Sequence, residues 1–189
     1  MSRENWEGVR QPIAVKDHAR RRPEQQLLRF PGAAAFLARA GWRLVSLLSP
    51  RSRLRQAILS RYVQQGFEAT NRRDFKTAFG LYHPQVESSL PAQLVALGFD
   101  PVYRGREARI DAQRRWVAEW SDLRFELEEL VDLGDRVVVV SRMKGSGLNS
   151  GAAGEMDCVF IYTLSAGSAI REQVFFDRRE ALEAVGLRE

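Results

Sequence analysis

Two charged side chains interrupt segments that are otherwise typical of buried strands. Arg142 follows four consecutive valines and one serine, and Asp157 lies within the apolar segment 156–164. Inside an apolar pocket, an arginine can hold an acidic ligand through a bidentate contact. A carboxylate in such a pocket has its pKa raised by desolvation, which suits proton transfer near neutral pH. On the outer face of a sheet Arg142 would be an ordinary exposed residue, and the sequence leaves both faces open for Asp157.

The alternation of side chains along a strand divides each segment into two faces. Cys158, Phe160 and Tyr162 share one face of segment 156–164, so Asp157 lies on the other. In segment 170–176, Gln173 and Phe175 share a face, and Glu172 belongs to the opposite one. The candidate ligand-binding residues are aromatic and polar side chains of one helix and three strands: Trp116, Arg142, Phe160, Tyr162, Gln173 and Phe175.

Several other chemistries have little support in the sequence. His18 and His83 lie in unrelated segments without a partner at ligand spacing, so we predict no metal site and no cofactor. The single cysteine, Cys158, forms no internal disulfide and is typical of a small core residue, so a reducing cytoplasm is the simplest setting. The glycine-rich segment 145–154 joins two strands and lacks the ending of a phosphate loop. Because the aromatic residues are not interleaved with basic ones, we expect no specific nucleic-acid partner.

The elements that must position these residues follow from a change in hydrophobic period. Apolar residues recur every three or four positions up to Trp120 and every second position afterwards. This predicts helices near 54–71, 75–82 and 106–120, and strands beginning near 86, 123, 136, 155 and 169. Asp74 is a candidate N-cap of the second helix, Pro84 ends it, and residues 91–104 form a loop. The inward stripe of the third helix is Ile110, Gln113, Val117 and Trp120. Helices followed by an antiparallel meander predict an α+β fold with a sheet wrapped around helices. The cavity between sheet and helices is the natural place for a ligand.

The N-terminal part of the 189-residue chain has a different composition. Residues 1–72 contain fourteen Arg or Lys and five Asp or Glu, whereas residues 73–189 contain fifteen and nineteen. We predict a basic, disordered arm over 1–31, an accessory amphipathic helix over 32–52, and one domain over 53–189. Segment 33–48 could lie on a membrane surface or pack on the domain or a partner, and packing is favoured. No secretory signal and no apolar run of about 20 residues is visible.

From about Ser52 to Leu187 the order of motifs resembles the SnoaL-like branch of the nuclear transport factor 2-like superfamily, which also includes the ketosteroid isomerases. The residues that carry the resemblance are Asn71-Arg72-Arg73-Asp74-Phe75, Leu81-Tyr82-His83-Pro84-Gln85-Val86-Glu87, Tyr103-Arg104-Gly105-Arg106-Glu107, Asp135-Arg136-Val137-Val138-Val139, Tyr162-Thr163-Leu164 and Asp177-Arg178-Arg179-Glu180-Ala181-Leu182. The resemblance implies a cone-shaped α+β barrel, in which a curved antiparallel sheet and three helices enclose a pocket. Members include polyketide cyclases, isomerases, dehydratases and hydrolases, and many proteins without known activity.

The resemblance also implies a set of catalytic residues. Glu87 is near the place where ketosteroid isomerases carry their general base, although Val86-Glu87-Ser88-Ser89 lacks the Asp-Pro environment common in those enzymes. Tyr62 and Asp157 could supply the tyrosine and the protonated carboxyl of an oxyanion hole. The alternatives are that Glu87 lies at the rim, paired with an arginine, and that Tyr62 is a core tyrosine with a bonded hydroxyl.

Three functions therefore remain open at the level of sequence. The first is acid–base catalysis on a small apolar or weakly acidic molecule, of the isomerase, cyclase or dehydratase type. The second is a non-catalytic ligand-binding or dimerisation scaffold. The third is interaction of the basic arm with a membrane or an acidic partner. We also expect a homodimer through the outer face of the sheet, because the strands that begin at Val137 and Met156 are apolar on both faces.

Overall fold

The computed structural model describes residue 45 and residues 48–187 of the chain. The helices are α1 (Arg53–Asn71), α2 (Phe75–Ala78), α3 (Ala92–Ala96), α4 (Arg106–Ala118) and α5 (Arg178–Ala184). The strands are β1 (Tyr82–Ser89), β2 (Val102–Arg104), β3 (Arg124–Asp132), β4 (Arg136–Ser146), β5 (Ala153–Ser165) and β6 (Ser168–Phe175). The predicted α+β class is confirmed, and the four strands after α4 begin within two residues of their predicted positions.

The strands form one curved sheet in the order β2-β1-β6-β5-β4-β3. Neighbouring strands are antiparallel except for β1 and β6, which run parallel. A parallel pair requires a long crossover, and here the crossover contains every element between the two strands. The prediction of a meander therefore holds for β3 to β6, and β1 joins it from the far end of the chain.

The first turn after α1 confirms one prediction and corrects another. The side chain of Asp74 caps α2 by accepting a hydrogen bond from the backbone N–H of Thr77 at 3.2 Å. However, α2 ends at Ala78 rather than Tyr82, and β1 begins four residues earlier than expected. The prediction used Pro84 as a helix terminator, whereas this proline lies in the irregular part of β1 between Tyr82 and Glu87. A proline is tolerated where ladder hydrogen bonds are missing, which is why it does not exclude a strand.

The segment predicted as a loop over 91–104 contains two short elements. Helix α3 follows Pro91, and β2 pairs with the end of β1 through the partners Glu87 and Arg104. The backbone N–H of Leu90 also donates to the carbonyl of Pro101 at 3.0 Å. Elements of three and five residues carry too few positions to show a hydrophobic period, so no pattern predicts them.

The sheet has apolar clusters on both faces. Val137 and Val139 belong to the inner cluster beneath the helices, whereas Val138 and Val140 belong to an outer cluster. Helix α5 covers this outer cluster with Ala181 and Leu182, both of which are fully buried. The apolar residues on the outer face of the sheet, from which we predicted a homodimer, are thus covered by α5 of the same chain. The homodimer stays a prediction, and this outer face no longer supports it.

The predicted arm over 1–31 lies outside the described residues, as does most of the predicted accessory helix over 32–52. Val45 is helical and belongs to the inner apolar cluster. The division into arm, accessory helix and domain stays a prediction. Within the described residues, no helix has both the length and the apolar character that crossing a membrane requires.

Candidate functional site

An apolar cavity of about 130 Å³ lies between the helices and the inner face of the sheet. Its apolar wall comes from α1, α2 and the strands β3 to β6, and includes Leu59, Val63, Phe67, Phe79, Phe125 and Phe160. An engineered apolar cavity of roughly 150 Å³ holds benzene. The cavity is therefore of the right size for a small ring or a similar apolar group.

One side of the cavity carries a connected group of polar side chains, which we call the polar cluster. Its members are Tyr82 from β1, Arg109 and Gln113 from α4, Tyr162 from β5 and Glu172 from β6. Arg109 donates from Nε to Oε2 of Glu172 at 2.6 Å and from Nη2 to Oε1 at 3.4 Å. The Tyr82 hydroxyl donates to Oε1 of Glu172 at 2.7 Å. Arg109 also donates to Oε1 of Gln113 at 3.0 Å.

The fold brings these residues together from distant parts of the chain. Tyr162 and Glu172 are direct partners in the β5–β6 ladder, so their side chains lie on the same face of the sheet. On α4, Arg109 and Gln113 are one turn apart and both point at that face, as the i, i+4 spacing requires. Arg109 thus reaches a strand that lies 63 residues further along the chain.

Glu172 and Arg109 form a buried ion pair. Their side chains are 1% and 4% exposed. Burial alone would lower the pKa of Arg109, but the attraction of Glu172 outweighs this effect and leaves the pKa above its usual value. The guanidinium also lies over the ring of Phe79 at 5.2 Å from its centroid. A charged pair at the wall of an apolar cavity is costly to bury and needs such additional partners.

The two tyrosines of the polar cluster are hydrogen-bond donors at neutral pH. Burial first, and then the negative charge of Glu172, raise the pKa of both Tyr82 and Tyr162 above the usual range. A phenol has a single proton, and that of Tyr82 goes to Glu172. The 3.4 Å contact between the two hydroxyls must then use the proton of Tyr162. Tyr162 is therefore the phenol that can turn its proton towards a ligand.

A second void of about 20 Å³ adjoins the cavity. Arg109 and Gln113 line both spaces, and the void continues towards Trp116 and Cys158. Cys158 is buried, as predicted for a core residue, and burial followed by the charge of Glu172 raises its pKa. A thiol of this kind is a poor nucleophile, because the reactive form is the thiolate.

Three of the predicted site residues line the cavity, namely Tyr62, Phe160 and Tyr162. Tyr62 lies on α1, and within the part of the chain that is described its hydroxyl makes no hydrogen bond. Trp116 lines the adjoining void instead. These four predictions therefore lead to the cavity or its immediate neighbourhood.

The predicted base Glu87 does not line the cavity. Its carboxylate pairs with Arg171 at 3.1 Å and with Arg104 at 3.4 Å, and is partly exposed. On β1, Val86 is fully buried in the inner cluster, so the alternation of a strand turns Glu87 to the other face. This placement corresponds to the alternative in which Glu87 is paired with an arginine.

Arg142 and Asp157 also lie on the outer face. They are partners in the β4–β5 ladder, and Nε of Arg142 is 3.2 Å from Oδ1 of Asp157, an ion-pair contact without hydrogen-bond geometry. Arg142 hydrogen-bonds to Glu128 at 3.0 Å and to Glu155 at 3.2 Å. Both residues belong to a charged surface network rather than to the cavity.

For β6 we named the wrong face. Gln173 is the ladder partner of Ile161 and Phe175 that of Val159, and both partners belong to the outer cluster beneath α5. The inner face carries Glu172 and Val174. Of the polar cluster, only Tyr162 was a functional candidate from the sequence, and Tyr82, Arg109, Gln113 and Glu172 were missed. The signal for Arg109 was present, because it lies four residues before the inward-facing Gln113.

The comparisons with known proteins agree with this architecture. Residues 63–172 match the SnoaL-like domain family, and the chain belongs to that family. The predicted resemblance is thereby confirmed. No curated protein matches the chain.

Solved structures with the same fold are distant in sequence. An NTF2-like protein of unknown function from Burkholderia pseudomallei is 22% identical with a TM-score of 0.57, over 66% of this chain and 94% of that protein. TerC, co-crystallised with polyporic acid, is 22% identical with a TM-score of 0.56, over 67% and 96%. A putative SnoaL-like polyketide cyclase from Jannaschia sp. is 20% identical with a TM-score of 0.52, over 69% and 90%. At these identities the likeness shows the fold alone.

Proposed function

We propose that this protein binds a small, largely apolar molecule in the cavity and performs acid–base chemistry on it, of the isomerase, cyclase or dehydratase type. The observation that carries the proposal is the position of Glu172. Within the described residues it is the one carboxylate that lines the cavity. It is hydrogen-bonded to the guanidinium of Arg109 and the phenol of Tyr82, and Tyr82 connects it to the second phenol, Tyr162. Enzymes commonly combine an apolar pocket with a few convergent polar groups in this way.

The two reactive roles belong to Tyr162 and Glu172. The Tyr162 hydroxyl donates a hydrogen bond to a carbonyl or hydroxyl oxygen of the substrate and stabilises the negative charge that develops there. Glu172 accepts a proton from a neighbouring carbon, and the electrons of that C–H bond move towards the oxygen held by Tyr162. Arg109 and Tyr82 hold the carboxylate in place through their hydrogen bonds.

Proton exchange at a small cyclic ketone tests this proposal directly. Cyclohexanone is close to benzene in size, and loss of its α-proton signals in D2O reports enolisation by nuclear magnetic resonance. We expect the protein to accelerate the exchange above the buffer rate. Tyr162→Phe should lower this acceleration about 100-fold or more, because oxyanion donors typically contribute 10²–10³. Glu172→Gln should abolish it while keeping an oxygen for Arg109 to donate to.

Matched controls come from the outer face of the sheet. Glu87→Gln and Asp157→Asn remove carboxylates that lie outside the cavity, and both variants should exchange cyclohexanone at the wild-type rate. An equal loss in these controls would sink the assignment to Glu172. Far-ultraviolet circular dichroism of each variant shows whether it is folded, and Tyr162→Phe keeps the test available should Glu172→Gln fail to fold.

The alternative of a non-catalytic binding protein has its own outcome in this experiment. Glu172 already accepts hydrogen bonds from Arg109 and Tyr82, which is also what a structural carboxylate would do. Binding of cyclohexanone without any acceleration of exchange would identify a ligand-binding scaffold. Absence of binding would reject the cavity as a functional site.

A further inference from the structure

Gln113 carries an amide group whose orientation is fixed by its neighbour. The guanidinium of Arg109 has only donors, so the atom of Gln113 that lies 3.0 Å from it must be the carbonyl oxygen Oε1. The amino group Nε2 therefore points away from Arg109. The helix holds this arrangement, because the two residues are one turn apart on α4.

The Nε2 group makes no hydrogen bond within residues 45 and 48–187, and the whole residue is only 7% exposed. Nε2 is not fully enclosed by protein atoms, so it keeps contact with a space next to it. The spaces that Gln113 borders are the cavity and the adjoining void. A buried donor without an acceptor is costly, which marks this group as one suited to a ligand.

Gln113 and Tyr162 lie at different places along the cavity. Tyr162 borders the main cavity only, whereas Gln113 stands where the cavity meets the void lined by Trp116 and Cys158. A ligand that fills the cavity therefore passes two separate donors, one phenol and one amide. Among the described residues, the other polar side chains of the cavity wall are mostly engaged: Thr70 donates to Gly66, Tyr82 donates to Glu172, and Arg109 pairs with Glu172. The hydroxyl of Tyr62 on α1 is a further donor, and it is unchanged in every variant compared below.

We infer that Gln113 is a specificity-determining residue that donates from Nε2 to a second oxygen of the ligand. This inference rests on the proposed function and narrows its substrate class. The substrate is a small apolar ring with two oxygen acceptors, one opposite Tyr162 and one opposite Gln113. An apolar molecule with a single oxygen leaves one of the two donors without a partner.

A pair of ligands with equal shape tests this inference. Cyclohexanone and methylenecyclohexane differ by one oxygen in place of a CH2 group, and calorimetric titration gives the ratio of their dissociation constants. The measurement uses the full chain with Tyr162→Phe as background, because this substitution removes the phenol of the polar cluster, while Tyr62 is the same in every variant and cancels in the comparison. Comparing the ratio between variants cancels the different solvation of the two ligands.

Two further substitutions remove the donor of Gln113 in different ways. Gln113→Glu keeps an oxygen for Arg109 and replaces the amino group by an acceptor. Gln113→Met removes both polar atoms at similar length. In each, the preference for cyclohexanone should fall about three- to tenfold, the value of one neutral hydrogen bond. The affinity for methylenecyclohexane should change much less in Gln113→Met.

The possible outcomes distinguish the role of Gln113 from the proposed function of the cavity. An unchanged ratio in both Gln113 variants, with methylenecyclohexane still bound, overturns the role of Gln113 and leaves the cavity as a binding site. Failure of either ligand to bind any folded variant overturns the proposed function and the inference with it. A fall of the ratio in both variants supports the second donor.

Discussion

Replacing Glu172 with methionine leaves the guanidinium of Arg109 inside the molecule without its carboxylate. The pair is 1% and 4% exposed, with an Nε–Oε2 distance of 2.6 Å. An arginine cannot lose its charge in a protein, so the cost cannot be relieved by deprotonation. Breaking a buried ion pair lowers the free energy of unfolding by about 3–5 kcal/mol. Because Arg109 keeps its contacts with Gln113 and Phe79, we expect a loss of about 3 kcal/mol, at the lower end of this range.

Replacing both partners removes the stranded charge. A buried pair exchanged for apolar residues of similar volume is often neutral or more stable by about 1–4 kcal/mol. Here the hydroxyl of Tyr82 and the carbonyl of Gln113 also lose their partners, which costs about 1–3 kcal/mol each. We therefore expect the double variant Arg109→Met with Glu172→Met to be at most about 2 kcal/mol less stable than the single variant Glu172→Met, or to be more stable than it.

Urea unfolding followed by circular dichroism at pH 7 gives the four free energies of this double-mutant cycle. The matched control is the exposed pair of Lys144 and Glu126, whose charged atoms are 2.9 Å apart with side chains 44% and 56% exposed. Its coupling energy should be about 0.2–1 kcal/mol. A coupling between Arg109 and Glu172 no larger than this control would refute the reasoning, because it would show that the pair is not desolvated.

Four more predictions concern the rest of the fold. The pKa values of Tyr82 and Tyr162 are raised in the folded state, so their contribution to stability is complete below the unfolded pKa of about 10 and is lost as the pH rises above it. The free energy of unfolding, measured with urea at increasing alkaline pH, should therefore fall less steeply in the double variant Tyr82→Phe with Tyr162→Phe than in the wild type. Gly145→Ala places a Cβ 3.0 Å from an indole ring and should cost about 1–3 kcal/mol in thermal unfolding, whereas Gly154→Ala, with its nearest neighbour at 3.6 Å, should stay within about 1 kcal/mol. Asp177→Ala removes the cap of α5 and should cost about 1 kcal/mol by urea unfolding. Light scattering at micromolar concentration should show the predicted homodimer, and a monomer would contradict it.

The spacing of apolar residues in the sequence predicted the main helices and strands and part of the site. The predicted inward stripe of the third helix was Ile110, Gln113, Val117 and Trp120, of which the first three are buried on α4 and Trp120 is half-buried. Extending the same i, i+4 step backwards from Gln113 leads to Arg109. Arginine is almost never fully buried unless it is paired, so the stripe alone does not predict that Arg109 faces the core. Its carboxylate partner lies on another strand, and no local pattern connects the two.

Strand faces explain the remaining errors. For Glu87 the alternation rule and the family resemblance disagreed, since a buried Val86 turns its neighbour outwards, and the rule was right. For β6 no rule could decide, because Arg171, Glu172 and Gln173 are consecutive polar residues and either face could have been the inner one. The pairing of β6 with β5 determines which face of β6 points inward. The register of this pairing shifts between Thr163 and Leu164, and such an irregularity cannot be recognised in the sequence.

The central place of β6 in the sheet has a consequence for how the protein is made. During synthesis the ribosome releases β1 and β2 first and β3 to β5 later, and these two groups have no strand pairing with each other. Only β6, which is translated after all of them, hydrogen-bonds to both β1 and β5. Until it emerges, the nascent chain exposes two open edges, the kind of surface that associates with other chains. We therefore expect nascent chains stalled before residue 168 to recruit chaperones, and full-length chains to release them.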